Sequence, residues 1–261
     1  NLGEYQFYRF ETSLIPEAHT YKRLADFKPR PNQQETIDRF KVAVKNGRNK
    51  LLMYAVMRFG KSFTSMCCAT EMKANLVVIV SAKSDVKEEW KATIEQHKRF
   101  ISYEFLDSNA LLEHDAAITE RLAKGKRAAV FLTLQDLQGS EIKTKHKEIF
   151  GNQIDLLIVD ETHFGARATE YGKVLSATDL TTGDLKNELK LADDDLSDLE
   201  NTLKVLRAQI TLHLSGTPYR ILMGSEFTSE DIIAFFQFTD IADSREKWDE
   251  ENLYRDDVKE W

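Results

Sequence analysis

With 261 residues, of which 42% are hydrophobic and 30% charged, the chain has the ordinary composition of a soluble globular protein, one large domain or two small ones. No apolar run approaches the roughly 20 residues that span a bilayer, and the amino terminus (Asn1-Leu2-Gly3-Glu4) has neither the basic residues nor the apolar stretch of a secretory signal. The formal charge of −7 excludes no partner, because acid is concentrated in residues 184–200 and 240–260 and the remainder is slightly basic.

The first residue is not Met, so a piece of a longer chain is expected. Residues 1–26 are aromatic-rich without clear periodicity and read as an extended lead-in packed on the domain. A helix is expected at about 31–46, opened by Pro31 in its first turn and stopped before Gly47. Strand 51–55 follows, then a turn, then a helix from 61 to about 73. This helix holds Cys67 and Cys68, whose adjacency points to buried thiols and a cytoplasmic address, not to a bridge or a metal pair.

Leu76-Val77-Val78-Ile79-Val80 is a continuous apolar run, as a parallel strand buried on both faces requires. Next come a helix at about 84–98, a strand near 102–106, a helix at 109–124, strand 128–132 and a helix around 141–149. Strand 154–159 is followed by an insertion (about 180–208) and then by strand 210–214. Within the insertion Leu189, Leu196, Leu199, Leu203 and Leu206 share one helical face beside Asp193, Asp194 and Asp195. That pattern predicts an acidic amphipathic helix or helix pair, packed by its Leu stripe or docking a partner. A helix at about 229–238 and an acidic, aromatic tail complete the chain. Alternating strands and helices imply an α/β fold, a mostly parallel sheet flanked by helices, with right-handed crossovers placing the strand-to-helix loops on one edge.

Two strand ends carry chemistry. Ala55-Val56-Met57-Arg58-Phe59-Gly60-Lys61-Ser62 follows the first strand and opens a helix, as in phosphate-binding loops. There, backbone N–H groups and the helix dipole cradle phosphates, a lysine bridges the β- and γ-phosphates, and a hydroxyl completes a magnesium shell. Ala55 replaces the usual first glycine, and Arg58 places a bulky side chain that must point out of the nest. The second strand end, Ile154–Val159, delivers Asp160-Glu161-Thr162-His163. One carboxylate there can hold magnesium and the other can position water, which gives Asp160 and Glu161 their expected roles. The pairing requires Lys61 and the two acids to face one crevice.

Arg30-Pro31-Asn32-Gln33, Gly60-Lys61-Ser62, Asp160-Glu161-Thr162-His163 and Ser215-Gly216-Thr217-Pro218 stand in the order seen in superfamily 2 helicases and translocases. The chain resembles their first RecA-like motor domain over about residues 27–222, most closely in DEAD/DEAH-box proteins of the restriction-enzyme type. That likeness implies ATP and Mg²⁺ as cofactors, nucleic acid (DNA expected) as partner, and a second RecA-like domain beyond Trp261. It implies catalytic roles for Lys61, Asp160, Glu161 and His163, with Ser62 and Asp160 on the metal. Nucleotide contacts would come from Arg30, Gln33, Arg58, Phe59, Gly60, Lys61, Ser62 and Phe63. Gln33 would read the adenine edge, with Phe27 or Tyr21 available for stacking. Ser215, Gly216 and Thr217 would couple the γ-phosphate to domain movement, and Ser81, Lys83, Thr133 and Gln135 would grip a nucleic-acid backbone. The organisation expected is a lead-in (1–26), an ATP-binding domain (27–222) and a helix with an acidic linker (223–261). Arginine fingers supplied by a second domain are worth about 10³–10⁵ in rate, so this stretch alone is expected to hydrolyse ATP feebly. A nucleotide-sensing module with little turnover, or a different P-loop ATPase, remain the alternatives.

Overall fold

The computed structural model describes residues 4–9, 17–81, 83–137, 146–160, 206–216, 227–237 and 239–240, with backbone alone for 4–9 and 17–22. The expected insertion, apart from its last residues, and the acidic tail lie outside them. Among the described residues no helix is long and apolar enough to cross a membrane.

The lead-in holds an antiparallel hairpin of β1 (Glu4–Arg9) and β2 (Glu17–Lys22). Among the described residues seven further strands form one parallel sheet: β3 (Lys50–Ala55), β4 (Leu76–Ser81), β5 (Tyr103–Asp107), β6 (Arg127–Thr133), β7 (Ile154–Asp160), β8 (Ala208–Ser215) and β9 (Ile232–Phe236). Their order is β5-β6-β4-β7-β8-β3-β9, every neighbouring pair parallel.

Helices cover both faces: α1 (Pro31–Lys45), α2 (Lys61–Glu71), α3 (Lys87–Gln96), α4 (Ser108–Glu113), α5 (Ala117–Ala123) and α6 (Lys147–Gly151). Alternate side chains of a strand point to opposite faces. Val77 and Ile79 of β4 therefore pack with Phe40, Met66 and Trp90 of α1–α3, while Leu76, Val78 and Val80 pack with Leu111, Ile118 and Ile149 of α4–α6. Cys67 and Cys68 are buried and unbridged, and burial pushes the Cys67 thiol up to about 12.

Helix ends follow from local chemistry. Gly47, at φ 77°, closes α1: its N–H bonds the Val44 carbonyl and the Arg48 N–H bonds Ala43, a Schellman motif. The same pattern ends α2 with Lys73 at φ 58°. Tyr103 reinforces that end, its hydroxyl 3.1 and 2.7 Å from the carbonyls of Ala69 and Ala74. At the far end of α3, the buried Arg23 guanidinium donates to the Ile94 and His97 carbonyls, which fixes the lead-in to the domain.

Two expectations need correction. Residues 232–236 form a strand rather than part of a helix at 229–238. Ile232-Ile233-Ala234-Phe235-Phe236 is β-branched and aromatic, suits a pleated surface, and adds to the sheet beside β3. The expected helix at 109–124 is two short helices, because His114 is extended (φ −139°, ψ 105°) and interrupts the ladder.

Candidate functional site

Parallel strands that share a direction end on one edge, and ligands of open α/β sheets bind there. Ala55, Ser81, Thr133, Asp160 and Ser215 all terminate their strands at this edge. Ser81 sits in register with both Asp160 and Thr133, and Ser215 with Tyr54.

The loop between β3 and α2 is held by unusual means. Gly60 adopts φ +83° as the cap of α2, and a Cβ there would lie 2.7 Å from Gln33 Nε2, so glycine is favoured and any side chain would strain the backbone and displace the Gln33 amide. Gln33 is buried; its Nε2 donates to the Phe59 carbonyl (2.7 Å) and its Oε1 accepts the Arg30 N–H (2.8 Å). The Arg30 guanidinium donates to the carbonyls of Phe59 and, at 3.2 Å, Arg58. Arg30 and Gln33 thus anchor the loop backbone. Adenine reading by Gln33 would have to use its other amide hydrogen or the second lone pair of Oε1.

Arg58 is exposed and left-handed (φ 68°), so its side chain does leave the nest. Strand β9, absent from the sequence expectation, supports the same loop. The Val56 N–H donates to the Phe236 carbonyl (3.1 Å), and the rings of Phe59 and Phe236 lie 5.3 Å apart.

Lys61 reaches back across the loop to the Ala55 carbonyl (3.0 Å). A Cβ built on Gly216 would stand 3.9 Å from both that oxygen and Lys61 Nζ, so the end of β8 closes against the lysine. The α2 start has no acidic residue in its first turn and no side-chain cap, a donor-rich electropositive end.

Helix α3 joins this loop to β7. Ser62 Oγ donates to Glu89 Oε1 (3.0 Å), and the next residue, Trp90, donates its indole N–H to Asp160 Oδ2 (3.1 Å). Two consecutive residues of one helix therefore reach the hydroxyl expected on a metal and the carboxylate expected beside it. No sequence signal singled out Glu89 or Trp90. Among the described residues no group of three or more His, Cys, Asp or Glu gathers as a metal site.

Behind the loop, Phe63 packs at 5.0 Å on His97 and at 4.7 Å on Phe27, an exposed ring that the sequence offered for stacking. The side chain of Tyr21, the other candidate, is outside the described residues. Burial lowers the His97 pKa below its usual 6.5, against the Phe27 carbonyl and Asp26, which raise it.

The residues expected to contact nucleic acid separate. Ser81 is fully buried and its hydroxyl accepts the Lys83 N–H (3.2 Å), so it holds the turn instead of facing solvent. Thr133 spends its hydroxyl on Asp136 Oδ2 (2.8 Å), which brings a carboxylate to that strand end. Lys83 and Gln135 are exposed. Glu161, His163 and Thr217 lie outside the described residues.

Residues 26–220 match the model of a family described as type III restriction enzyme, res subunit (ResIII), close to the 27–222 span of the resemblance. A relative from Mycoplasma pneumoniae (strain ATCC 29342 / M129 / Subtype 1), the putative type II restriction enzyme and methyltransferase RM.MpnORF110P C-terminus, is 26% identical over 235 residues. That alignment covers 82% of this chain and 32% of the relative. The ATP-dependent Type ISP restriction-modification enzyme LlaBIII bound to DNA matches in fold with a TM-score of 0.57 at 14% identity, over 87% of this chain and 16% of that one. The Sulfolobus solfataricus SWI2/SNF2 ATPase core in complex with dsDNA matches at 0.50 and 12%, over 81% and 36%. Both likenesses bear out a RecA-like fold. The chain spans about a third of the curated relative's length.

Proposed function

Because the chain belongs to the type III restriction enzyme res subunit family, we propose that it is the ATP-binding motor domain of a DNA translocase or helicase in a restriction-modification or related defence system. The observation that carries this reading is the pair of bonds from adjacent Glu89 and Trp90 to Ser62 and Asp160. They gather the phosphate loop and the end of β7 at one edge, with Lys61 closing against β8.

The residues present suit a triphosphate with magnesium. The uncapped α2 start offers backbone N–H groups to phosphate oxygens. Lys61, which donates to the Ala55 carbonyl here, would bridge the β- and γ-phosphates. Ser62 donates its proton to a carboxylate, which turns the hydroxyl oxygen into a better ligand, and Asp160 supplies a hard oxygen of the kind Mg²⁺ prefers. Bound magnesium would neutralise charge on the transferring phosphoryl group. Mg²⁺ needs few protein ligands, because it is commonly held by one or two side chains together with water and phosphate oxygens.

Glu161 orients and deprotonates the attacking water. His163 and Ser215–Thr217 relay the state of the γ-phosphate to a second RecA-like domain, and Arg30 and Gln33 hold the loop beside the base. Lys83 and Gln135 contact the DNA backbone. Two proteins of similar fold whose structures contain DNA support that substrate.

ATP titration by calorimetry, with and without Mg²⁺, tests the site, alongside DNA-stimulated ATPase of the full-length protein. Lys61→Ala is expected to abolish stimulated turnover and Glu161→Gln to abolish it while ATP still binds. Full stimulated turnover in both variants would sink the motor reading. The left-handed Arg58 in the loop favours one second reading, a nucleotide sensor with little turnover. Arg58→Gly restoring fast hydrolysis to a slow wild type would support it.

A further inference from the structure

Resting on the nucleotide reading above, we propose that Glu89 and Trp90 of α3 are positioning residues for the metal shell of the bound nucleotide. Neither belongs to the motifs that carry the family resemblance, and they lie well outside the loop and the β7 end that they serve.

Trp90 is 1% exposed, yet its indole N–H is spent at a strand end on one carboxylate oxygen of Asp160. A buried indole N–H must find an acceptor, and many carbonyls in a core could serve. The bond to Asp160 limits the carboxylate's rotation about Cβ–Cγ and so the directions in which its oxygen lone pairs point. Glu89 is exposed and acts on the other ligand. It accepts the Ser62 proton, and a serine hydroxyl so engaged has one orientation for its lone pairs instead of several. Metal ligation depends on such outer partners, whose loss typically costs about 10–100-fold in affinity.

The acceptor Glu89 and the donor Trp90 are consecutive in sequence, so a single helical turn sets the relative placement of Ser62 and Asp160. Those residues come from α2 and β7, almost a hundred positions apart. The turn just ahead of α3 contains Lys83 and Ser84, both exposed. A shift of α3 would therefore move both ligands together.

The experiment measures ATP affinity with Mg²⁺ and with EDTA for wild type, Trp90→Phe, Glu89→Ala and Glu89→Gln. Phe keeps an apolar ring but has no N–H; Gln keeps an acceptor that Ala lacks. In wild type Mg²⁺ tightens ATP binding. In Trp90→Phe and Glu89→Ala the EDTA affinity is expected to stay within about twofold of wild type. The Mg²⁺ enhancement is expected to fall about 10-fold, with Glu89→Gln near wild type. A merely structural role would shift both affinities together. Unchanged Mg²⁺ enhancement in both Trp90→Phe and Glu89→Ala overturns the proposal. Should Trp90→Phe fail to fold, the exposed Glu89→Ala decides alone. Absence of any Mg²⁺ enhancement in wild type would instead overturn the nucleotide reading beneath it.

Discussion

Strand β7 carries an aspartate at each end, and the two ends of the sheet use them differently. Asp155, at the amino edge, accepts the backbone N–H groups of Asn75 (2.6 Å) and Leu76 (3.1 Å), where β4 begins beside it. Asp160, at the carboxyl edge, accepts the indole N–H of Trp90 from α3, whose neighbour Glu89 accepts the Ser62 hydroxyl of the loop. The first carboxylate ties two strands together. The second ties a strand end to a helix. Residue type is the same, and strand direction decides the role: in a parallel sheet only one edge receives the helix starts with their unsatisfied donors.

The sharpest way to break this comparison is to neutralise each aspartate. Asp160→Asn keeps an acceptor for Trp90 and the shape of the side chain, and loses the charge. DNA-stimulated ATPase of the full-length protein is expected to fall about 10²–10³-fold, the usual loss on removing one preorganised charge stabiliser, with the unfolding midpoint nearly unchanged. Asp155→Ala should do the reverse. Stranding two backbone donors costs about 1–3 kcal/mol, nearer the lower figure because Asn75 is exposed to water. Its Mg²⁺-dependent ATP affinity should equal wild type. Equal loss of nucleotide affinity in both variants would erase the distinction between the edges.

A smaller effect separates two glycine-like positions in the carboxyl-edge loop. Gly60 and Arg58 both have positive φ, but a Cβ at Gly60 meets Gln33 while Arg58 already carries one in solvent. Gly60→Ala should cost about 1–2 kcal/mol from the left-handed backbone, plus whatever Gln33 must yield. Arg58→Gly should raise stability by at most about 1 kcal/mol. Urea midpoints check both, and a stabilising Gly60→Ala would mean that the loop had rearranged.

How much of this was legible depends on where each signal is written. Strands β3, β4, β6, β7 and β8 were readable to within a few residues, because burial on both faces demands continuous apolar runs. Gly47 announced the end of α1 for the reason that a Schellman motif needs φ > 0. Strand β9 was misread because Ile232–Phe236 is short and apolar enough for either period, and its pairing with β3 is a tertiary fact. The loop anchors were half visible. Gln33 and Arg30 stood out as residues, but their partner is the Phe59 carbonyl, and a backbone atom leaves no mark in sequence. Ser81 had the hydroxyl that a phosphate contact needs, but the fold buries it. Glu89 and Trp90 looked like any helix face, since their targets come from elements brought together by the crossovers.

The smallest effect concerns pH and the aromatic cluster behind the loop. His97 Nδ1 accepts the Arg99 N–H (3.1 Å), which puts the ring proton on Nε2, where it is donated to the Phe27 carbonyl (3.0 Å). Protonating Nδ1 would set two donors against each other in a buried ring that also faces Arg23 and Arg99, with Asp26 as the opposing charge. The folded pKa is therefore below 6.5, so the folded chain binds fewer protons than the unfolded one between the two values. The stability this provides is complete above pH 6.5 and is lost as pH falls through 6.5 towards the folded pKa. Urea midpoints from pH 7.5 down to about 5 should decline for wild type and flatten in His97→Gln, which cannot titrate there. An identical slope in the variant would assign the pH dependence to other groups. Because Phe63 follows Ser62 and rests on this ring, loosening the cluster should also weaken metal-free ATP binding in the same pH window. Asp155 has no such link to the loop, so Asp155→Ala should leave that pH profile unmoved, which extends the contrast between the two edges from charge to packing.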